Sequence, residues 1–195
     1  MNVIKTPLPG VLILEPQVFS DKRGSFMEIF HAKRYADAGI SRAFVQDNYS
    51  TSVRDTLRGL HFQEPNAQGK LVVALSGSIF DVVVDIRRGS PTFKTWHGVE
   101  LSSGNHKQLW VPPGYAHGFL VLSESAEVLY KCTDFYRQDA DRSIVWNDPD
   151  IGIHWPVQHP LLSKKDAEAP RLSETTILPR YGTLSALAGA LRCAT

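Results

Sequence analysis

Residues 70–86, KLVVALSGSIFDVVVDI, decide the class of fold. Two largely apolar runs, residues 70–75 and 79–86, flank the short polar stretch Ser76-Gly77-Ser78. Valine and isoleucine favour strands because their branched side chains pack well on a pleated surface, and a Ser-Gly-Ser stretch favours a turn. The sequence therefore predicts two consecutive β-strands joined by a turn.

The pattern of short strands continues on both sides of this pair. Further strands are predicted over residues 96–101, 107–111, 118–122 and 127–136. Residues 3–20, which prolines interrupt, predict short edge strands, and residues 31–39 predict a short helix that Gly39 ends. Many short strands with few helices are typical of an all-β sandwich or small barrel.

Composition limits the classes of partner. The chain has 195 residues, with 21 Lys and Arg against 20 Asp and Glu, which predicts one domain without a strong overall charge. We therefore expect no nucleic acid and no membrane as partners, and an anionic ligand would need a local cluster of cations. The N-terminus lacks a signal-peptide pattern and no stretch could span a bilayer, which predicts a cytoplasmic protein. Two cysteines are too few for a disulfide framework.

A histidine close to two cations is the first candidate for chemistry. Residues 57–63, LRGLHFQ, place Arg58 and His61 near a predicted strand end, and Lys70 follows seven residues later. A lone histidine is usually structural, hydrogen-bonded at such a strand end. Clustered basic side chains without neighbouring acids usually bind an anionic ligand, which makes all three residues site candidates.

Residues 112–119, PPGYAHGF, resemble the second conserved motif of the cupins, which are small double-stranded β-barrels. In metal-binding cupins the histidine of this motif joins a His-x-His pair and a glutamate. Here His61-Phe62-Gln63 contains no second histidine, and the ammonium of Lys70 cannot coordinate a metal. The prediction is a metal-free barrel in which His117 contacts the substrate or another site residue.

Two later segments are further candidates. If residues 129–136 form one continuous strand, Tyr130 and Tyr136 share a face. That face suits aromatic packing at an interface and equally suits a phenol that donates a proton into the barrel. Residues 163–166, SKKD, read alone as a charged surface loop, and they gain interest only if the fold returns their aspartate to the histidine of the first motif.

Together these segments are similar to the dTDP-4-dehydrorhamnose 3,5-epimerases, over residues 1 to about 172. Any one stretch is a weak signal, whereas this many in the same order are specific. The matching stretches are residues 21–28, 45–48, 57–63, 67–72, 80–93, 108–119, 129–136, 146–149 and 163–166.

The resemblance implies an all-β, cupin-type double-stranded β-helix, or jelly-roll barrel, with a few short helices. We expect a single epimerase domain over residues 1–195. The match ends near residue 172, so residues 173–195 are a C-terminal tail, in which the spacing of Leu184, Leu187 and Leu191 predicts a short packed helix. The resemblance also implies a homodimer with strand exchange, in which N-terminal strands extend the partner's sheet. The implied substrate is a dTDP-sugar, and no cofactor or metal is expected.

The resemblance also assigns roles residue by residue. The implied catalytic residues are His61 as the base, Asp166 as its carboxylate partner, Lys70 beside the keto oxygen and Tyr130 as the acid on the opposite ring face. Tyr136 corresponds to the aromatic residue that stacks on thymine. The other implied nucleotide and sugar contacts are Arg23, Glu28, Gln46, Asn48, Arg58, His117, Asp141 and Lys165.

These residue types suit epimerisation beside a ketone. The 4-keto group of dTDP-4-dehydro-6-deoxy-D-glucose makes the hydrogens on C3 and C5 removable, because the carbanion delocalises into an enolate. Histidine accepts a proton near neutral pH, lysine stabilises the enolate oxygen, and tyrosine returns a proton to the other face, which would give dTDP-4-dehydro-L-rhamnose. Two alternatives stay open at this stage: an enzyme that inverts only C3 or only C5, and a non-catalytic sugar-nucleotide-binding cupin.

Overall fold

The computed structural model describes residues 1–182, and most of their regular structure is β-strand. The strands are β1 (Asn2–Lys5), β2 (Leu12–Glu15), β3 (Val18–Asp21), β4 (Gly24–Met27), β5 (Gln46–Val53), β6 (Leu57–Gln63), β7 (Lys70–Ser76), β8 (Ser78–Asp85), β9 (Trp96–Ser102), β10 (Gln108–Val111), β11 (Tyr115–Val121), β12 (Ser125–Cys132) and β13 (Asp141–Ser143). Helix α1 spans Ala32–Asp37, helix α2 spans Lys164–Ala167, and a 3₁₀ turn spans Leu172–Glu174. The prediction of an all-β fold with a few short helices is confirmed.

The strands form two main sheets and a separate hairpin. The larger sheet has six strands in the order β1-β2-β10-β7-β12-β5, and the smaller has five in the order β13-β6-β11-β8-β9. Within residues 1–182, strands β3 and β4 pair only with each other. The paired strands are antiparallel throughout.

The side-chain alternation of β7 and β8 explains how the two sheets pack. Val72 of β7 and Val83 of β8 lie in the buried cluster between the sheets, which forms the lumen of a barrel. Val82 and Val84 point to the opposite face of β8, where partly buried Trp155 packs against their cluster. Strand β8 is therefore covered on both faces, which explains why its sequence is almost continuously apolar.

The end of the described chain packs back onto this second cluster. Leu172 is buried within it and Leu178 packs against it. The ring of Tyr181 lies over the guanidinium of Arg87, 5.1 Å from ring centroid to Cζ. The helix predicted around Leu184 lies outside the described residues.

Three local predictions are tested by the secondary structure. The helix predicted over residues 31–39 is confirmed as α1, with His31 as its N-cap and Gly39 just beyond its end at a φ of 97°. The prediction that one strand runs through Tyr136 is wrong, because β12 ends at Cys132. Residues 163–166 are not a loop, since Ser163 caps the short helix α2. No helix within residues 1–182 is long and apolar enough to cross a membrane.

Candidate active site

His61 and Asp166 form a hydrogen-bonded pair across 105 positions of sequence, joined by His61 Nε2 and Asp166 Oδ1 at 2.5 Å. Strand β6 carries the histidine and helix α2 carries the aspartate. The aspartate is almost fully buried, and its second carboxylate oxygen accepts a hydrogen bond from Ser163 Oγ at 2.9 Å. Ser163 Oγ also accepts from the Asp166 main-chain N–H, so the helix cap fixes the carboxylate in place.

The charge of Asp166 sets the tautomer of the histidine. Burial alone would raise the pKa of the Asp166 carboxyl. The hydrogen bond and charge of His61, together with Ser163 and Lys165, outweigh burial and hold that pKa below its ordinary value. An ionised carboxylate accepts the Nε2–H, which leaves the lone pair of His61 Nδ1 available. Within residues 1–182 this Nδ1 makes no hydrogen bond, so it can serve as a proton acceptor.

A cavity of about 280 Å³ opens beside the histidine. Its walls come from strands β5, β6, β7, β12 and β13, from helix α2, and from the segments just before β7 and just after β12. The lining residues are Gln46, Asn48, His61, Phe62, Gln63, Gln68, Lys70, Tyr130, Tyr136, Asp141 and Lys165.

Lys70 brings an ammonium group into this cavity. Its side chain is half-buried at the start of β7, and Nζ lies 5.9 Å from the centroid of the Tyr130 ring. Within the described chain, Nζ makes no hydrogen bond and no ion pair. Burial lowers the pKa of Lys70, while charge at Cys132, Asp141 and Asp81 opposes that shift. A cation without a direct counter-ion is available to stabilise a negatively charged oxygen of a bound molecule.

Tyr130 supplies a phenol to the same cavity. On β12 it is paired with Val72 of β7 on one side and Asn48 of β5 on the other. Burial raises the pKa of the Tyr130 phenol, and Cys132 adds to that effect while Arg58 opposes it. The phenol therefore stays protonated near neutral pH and can act as a proton donor.

An aromatic ring and two charges form the rim of the cavity. Tyr136 is 54% exposed, and its hydroxyl donates a hydrogen bond to Asp141 Oδ2 at 3.2 Å. The Lys165 ammonium donates to the same carboxylate oxygen. The exposed ring face, beside this ion pair, is suited to stacking on a flat ligand.

Arg23 and Glu28 lie outside the cavity. Arg23 occupies the turn between β3 and β4 and pairs with Asp21 at 2.6 Å, while Glu28 follows β4 and pairs with Arg34 at 2.7 Å. Neither residue lines the cavity of its own chain. Phe26 of the same hairpin is 70% exposed.

Arg58 and His117 are close to the site but do not line the cavity. Arg58 faces an adjacent groove, where its Nε donates to Ser52 Oγ at 3.0 Å. His117 is directly paired with His61 across strands β11 and β6, but it is buried, with Nε2 2.7 Å from Asp81 Oδ1. The side chain of His117 is therefore not exposed in the cavity of its own chain, where a direct contact with the substrate would be made.

Three residues of the cavity wall were not singled out from the sequence: Phe62, Gln63 and Gln68. Spacing in the sequence could have indicated Gln63, because it stands two residues after His61 on one strand and so projects to the same face. Within residues 1–182, no three His, Cys, Asp or Glu side chains are grouped so as to hold a metal ion.

Residues 5–174 match the family model described as dTDP-4-dehydrorhamnose 3,5-epimerase. The chain belongs to this family. A dTDP-4-dehydrorhamnose 3,5-epimerase from Shigella flexneri is 58% identical over 168 residues, which are 85% of this chain and 93% of the relative.

Solved structures of this epimerase family share the fold. A dTDP-6-deoxy-D-glucose-3,5-epimerase from Legionella pneumophila, in complex with dTDP-4-keto-L-rhamnose, is 49% identical and superposes with a TM-score of 0.91 over 93% of this chain and 99% of that chain. An rmlC epimerase from Mycobacterium tuberculosis is 38% identical, with a TM-score of 0.93 over 98% of this chain and 100% of that chain. The predicted cupin-type fold of the 3,5-epimerases is therefore confirmed.

Proposed function

We propose that this chain epimerises dTDP-4-dehydro-6-deoxy-D-glucose at C3 and C5 to give dTDP-4-dehydro-L-rhamnose, without a cofactor. The observation that carries the proposal is the arrangement around one cavity of the His61–Asp166 pair, the Lys70 ammonium and the Tyr130 phenol. Membership of the epimerase family, and the product-like ligand named for the Legionella pneumophila structure, support the same reaction.

Proton removal is the first step of the proposed mechanism. His61 Nδ1 takes a proton from a carbon beside the 4-keto group, the C–H bond breaks, and its electron pair delocalises onto the keto oxygen. The ionised Asp166 stabilises the imidazolium that forms. Lys70 stabilises the enolate oxygen, and partial burial of this lysine strengthens that interaction relative to one in bulk water.

Proton return to the opposite face completes the inversion. The enolate carbon forms a new C–H bond with the proton of the Tyr130 hydroxyl, which leaves a phenolate, and the double bond to the keto oxygen is restored. Exchange with solvent then removes the proton from the imidazolium and replaces that of the phenol. The same sequence at the second carbon gives the doubly inverted sugar.

Recognition of the nucleotide is assigned to the remaining residues. We propose that Tyr136 stacks on thymine. Contacts to the nucleotide or sugar from the same chain are assigned to Gln46, Asn48, Asp141 and Lys165. Two further residues contribute from outside the cavity wall, Arg58 in the adjacent groove and His117 in its buried position beside His61. We also propose a single epimerase domain, with residues 173–195 as its tail.

A homodimer with strand exchange would explain why Arg23 and Glu28 lie outside the cavity of their own chain. The β3–β4 hairpin pairs with no other strand in the part of the chain that the structure describes, and it exposes 55% of Phe19 and 70% of Phe26. Burying these rings against a second copy would bring the hairpin's Arg23, and Glu28 beyond it, toward the partner's cavity.

Hydrogen exchange into the substrate tests the reaction directly. The protein is incubated with dTDP-4-dehydro-6-deoxy-D-glucose in heavy water, and NMR records deuterium at each carbon. Deuterium at both C3 and C5 with inversion is expected. Deuterium at one carbon would instead identify an enzyme that inverts only that centre, and deuterium at neither would identify a binding protein.

A further inference from the structure

The segment that carries Tyr136 is held by glutamine side chains rather than by strand pairing. Residues 134–137 follow the end of β12 and belong to no helix or strand. Gln68 Nε2 donates to the carbonyl of Asp134 at 2.8 Å, and Gln63 Nε2 donates to that of Phe135 at 3.1 Å. The next two residues donate their main-chain N–H groups to glutamine oxygens, Tyr136 to Gln46 at 2.8 Å and Arg137 to Gln63 at 2.8 Å.

An amide side chain can replace a neighbouring strand in this way because it offers both donors and an acceptor. Main-chain polar groups bond either to water or to protein partners, and glutamine supplies a protein partner to four consecutive residues here. Gln63 is only 5% exposed, and its Nε2 makes a second hydrogen bond, to the Asn66 carbonyl at 2.5 Å. Both donors of Gln63 and its acceptor are therefore occupied within the protein.

The glutamines link the segment to the walls that hold the reacting groups. Gln63 lies two residues beyond His61 on β6, and Gln68 lies two residues before Lys70. The ring of Tyr136 is itself 54% exposed, and its only side-chain hydrogen bond within the described residues is the one to Asp141. The direction of that ring is therefore set mainly by the main chain that the glutamines hold.

We propose that Gln63 and Gln68 are positioning residues that preset the Tyr136 segment to receive the nucleotide base, so that they govern nucleotide affinity rather than proton transfer. The inference rests on the proposed function, in which the ring of Tyr136 stacks on thymine. A segment that is already ordered loses less conformational entropy on binding, and affinity rises accordingly.

The test compares isosteric glutamine-to-methionine variants. Gln68→Met removes one hydrogen bond from the segment and Gln63→Met removes two, while Gln138→Met alters an exposed glutamine of the adjoining turn that makes no side-chain hydrogen bond within the described residues. We expect the Kd for dTDP, measured by calorimetry, and the KM to rise about three- to tenfold in Gln68→Met. The kcat should stay within about twofold, and Gln138→Met should match the unmodified protein.

A second measurement separates positioning from a general loss of structure. In a Tyr136→Ala background, Gln68→Met should weaken dTDP binding no further, because its effect acts through the ring. Additive effects, an unchanged Kd in Gln68→Met, or a fall in kcat with unchanged KM would each overturn the inference. Gln68 is half-buried, so its variant decides the question even if Gln63→Met does not fold. Failure of the unmodified protein to bind dTDP would instead refute the proposed function.

Discussion

Lys70 is a residue at which function opposes stability. The residue is half-buried, and within residues 1–182 its ammonium makes no hydrogen bond or ion pair. Burial lowers the pKa of Lys70 in the folded protein. The charged form therefore costs stability at every pH below that lowered pKa, and the cost disappears as the pH rises through the ordinary value of 10.5.

Lys70→Met is expected to separate these two effects. At neutral pH the kcat should fall about 100- to 1000-fold, because the enolate oxygen loses its cation. The urea midpoint of unfolding should rise, because methionine fills a similar volume without a buried charge. Lys164→Met, at a position whose side chain is 86% exposed, is the matched control and should change neither quantity. Retention of normal kcat in Lys70→Met would remove lysine from the mechanism.

Asp166→Asn tests the role of the carboxylate in catalysis and in stability. The kcat should fall about 100- to 10,000-fold, since a neutral amide no longer holds the histidine tautomer or stabilises the imidazolium. The pKa of Asp166 is lowered in the folded protein, so its carboxylate adds stability above the ordinary value of 3.8, and this stability is lost as the pH falls through the lowered pKa. Urea unfolding between neutral and acid pH should show a destabilised variant whose deficit shrinks below pH 3.8. A deficit that does not change with pH would contradict this account.

Tyr130→Phe tests which side chain returns the proton. Removing the hydroxyl leaves His61 and Lys70 in place, so deuterium should still wash into the first carbon that reacts. Inversion at that carbon should slow about 100-fold or more, because the opposite face has lost its acid. NMR in heavy water measures both events in one sample. Normal inversion in this variant would mean that another group is the acid.

At the scale of elements, the four-residue helix α2 serves mainly to deliver Asp166. Ser163 caps the helix and donates to the carboxylate, so cap and catalytic pair form one unit. Ser163→Ala is expected to lower stability by about 1 kcal/mol and kcat by about tenfold, while Ser163→Thr, which keeps the hydroxyl, should restore most of both. Thermal unfolding and steady-state kinetics measure the two effects. Equal kcat values in the alanine and threonine variants would show that the cap does not position the carboxylate.

The end of β12 shows why a strand could be predicted better than its boundary. Residues 127–136 alternate well enough to predict one strand, but β12 ends at Cys132. Partners distant in sequence, including Gln46 and Gln68, bind the main chain beyond that point. No local pattern reports such partners, because they come from other strands and loops.

At the scale of the whole molecule, the proposed exchange of the β3–β4 hairpin can be tested by complementation. An Arg23→Ala protein and a His61→Ala protein should each be nearly inactive, since one lacks the hairpin cation and the other lacks the base. A heterodimer of the two contains one site with both residues intact. Mixing equal amounts after exchange of protomers should therefore restore about a quarter of the unmodified activity. No recovery, with heterodimer formation verified by native mass spectrometry, would place Arg23 in its own chain's site, and an active Arg23→Ala protein would place it outside the site.

The sequence by itself determined the class of fold, the family and the chemistry of the candidate residues. Those properties follow from local patterns: the apolar runs around Gly77, the histidine motif at residues 57–63, and stretches in a fixed order. Only the tertiary structure decided the geometry in which these residues meet, including the pair of His61 and Asp166 that the resemblance implied. It brought Asp166 to His61 over 105 positions and left Arg23 on a separate hairpin. Such placements depend on strand pairing and helix docking between distant segments, which a sequence motif does not encode locally.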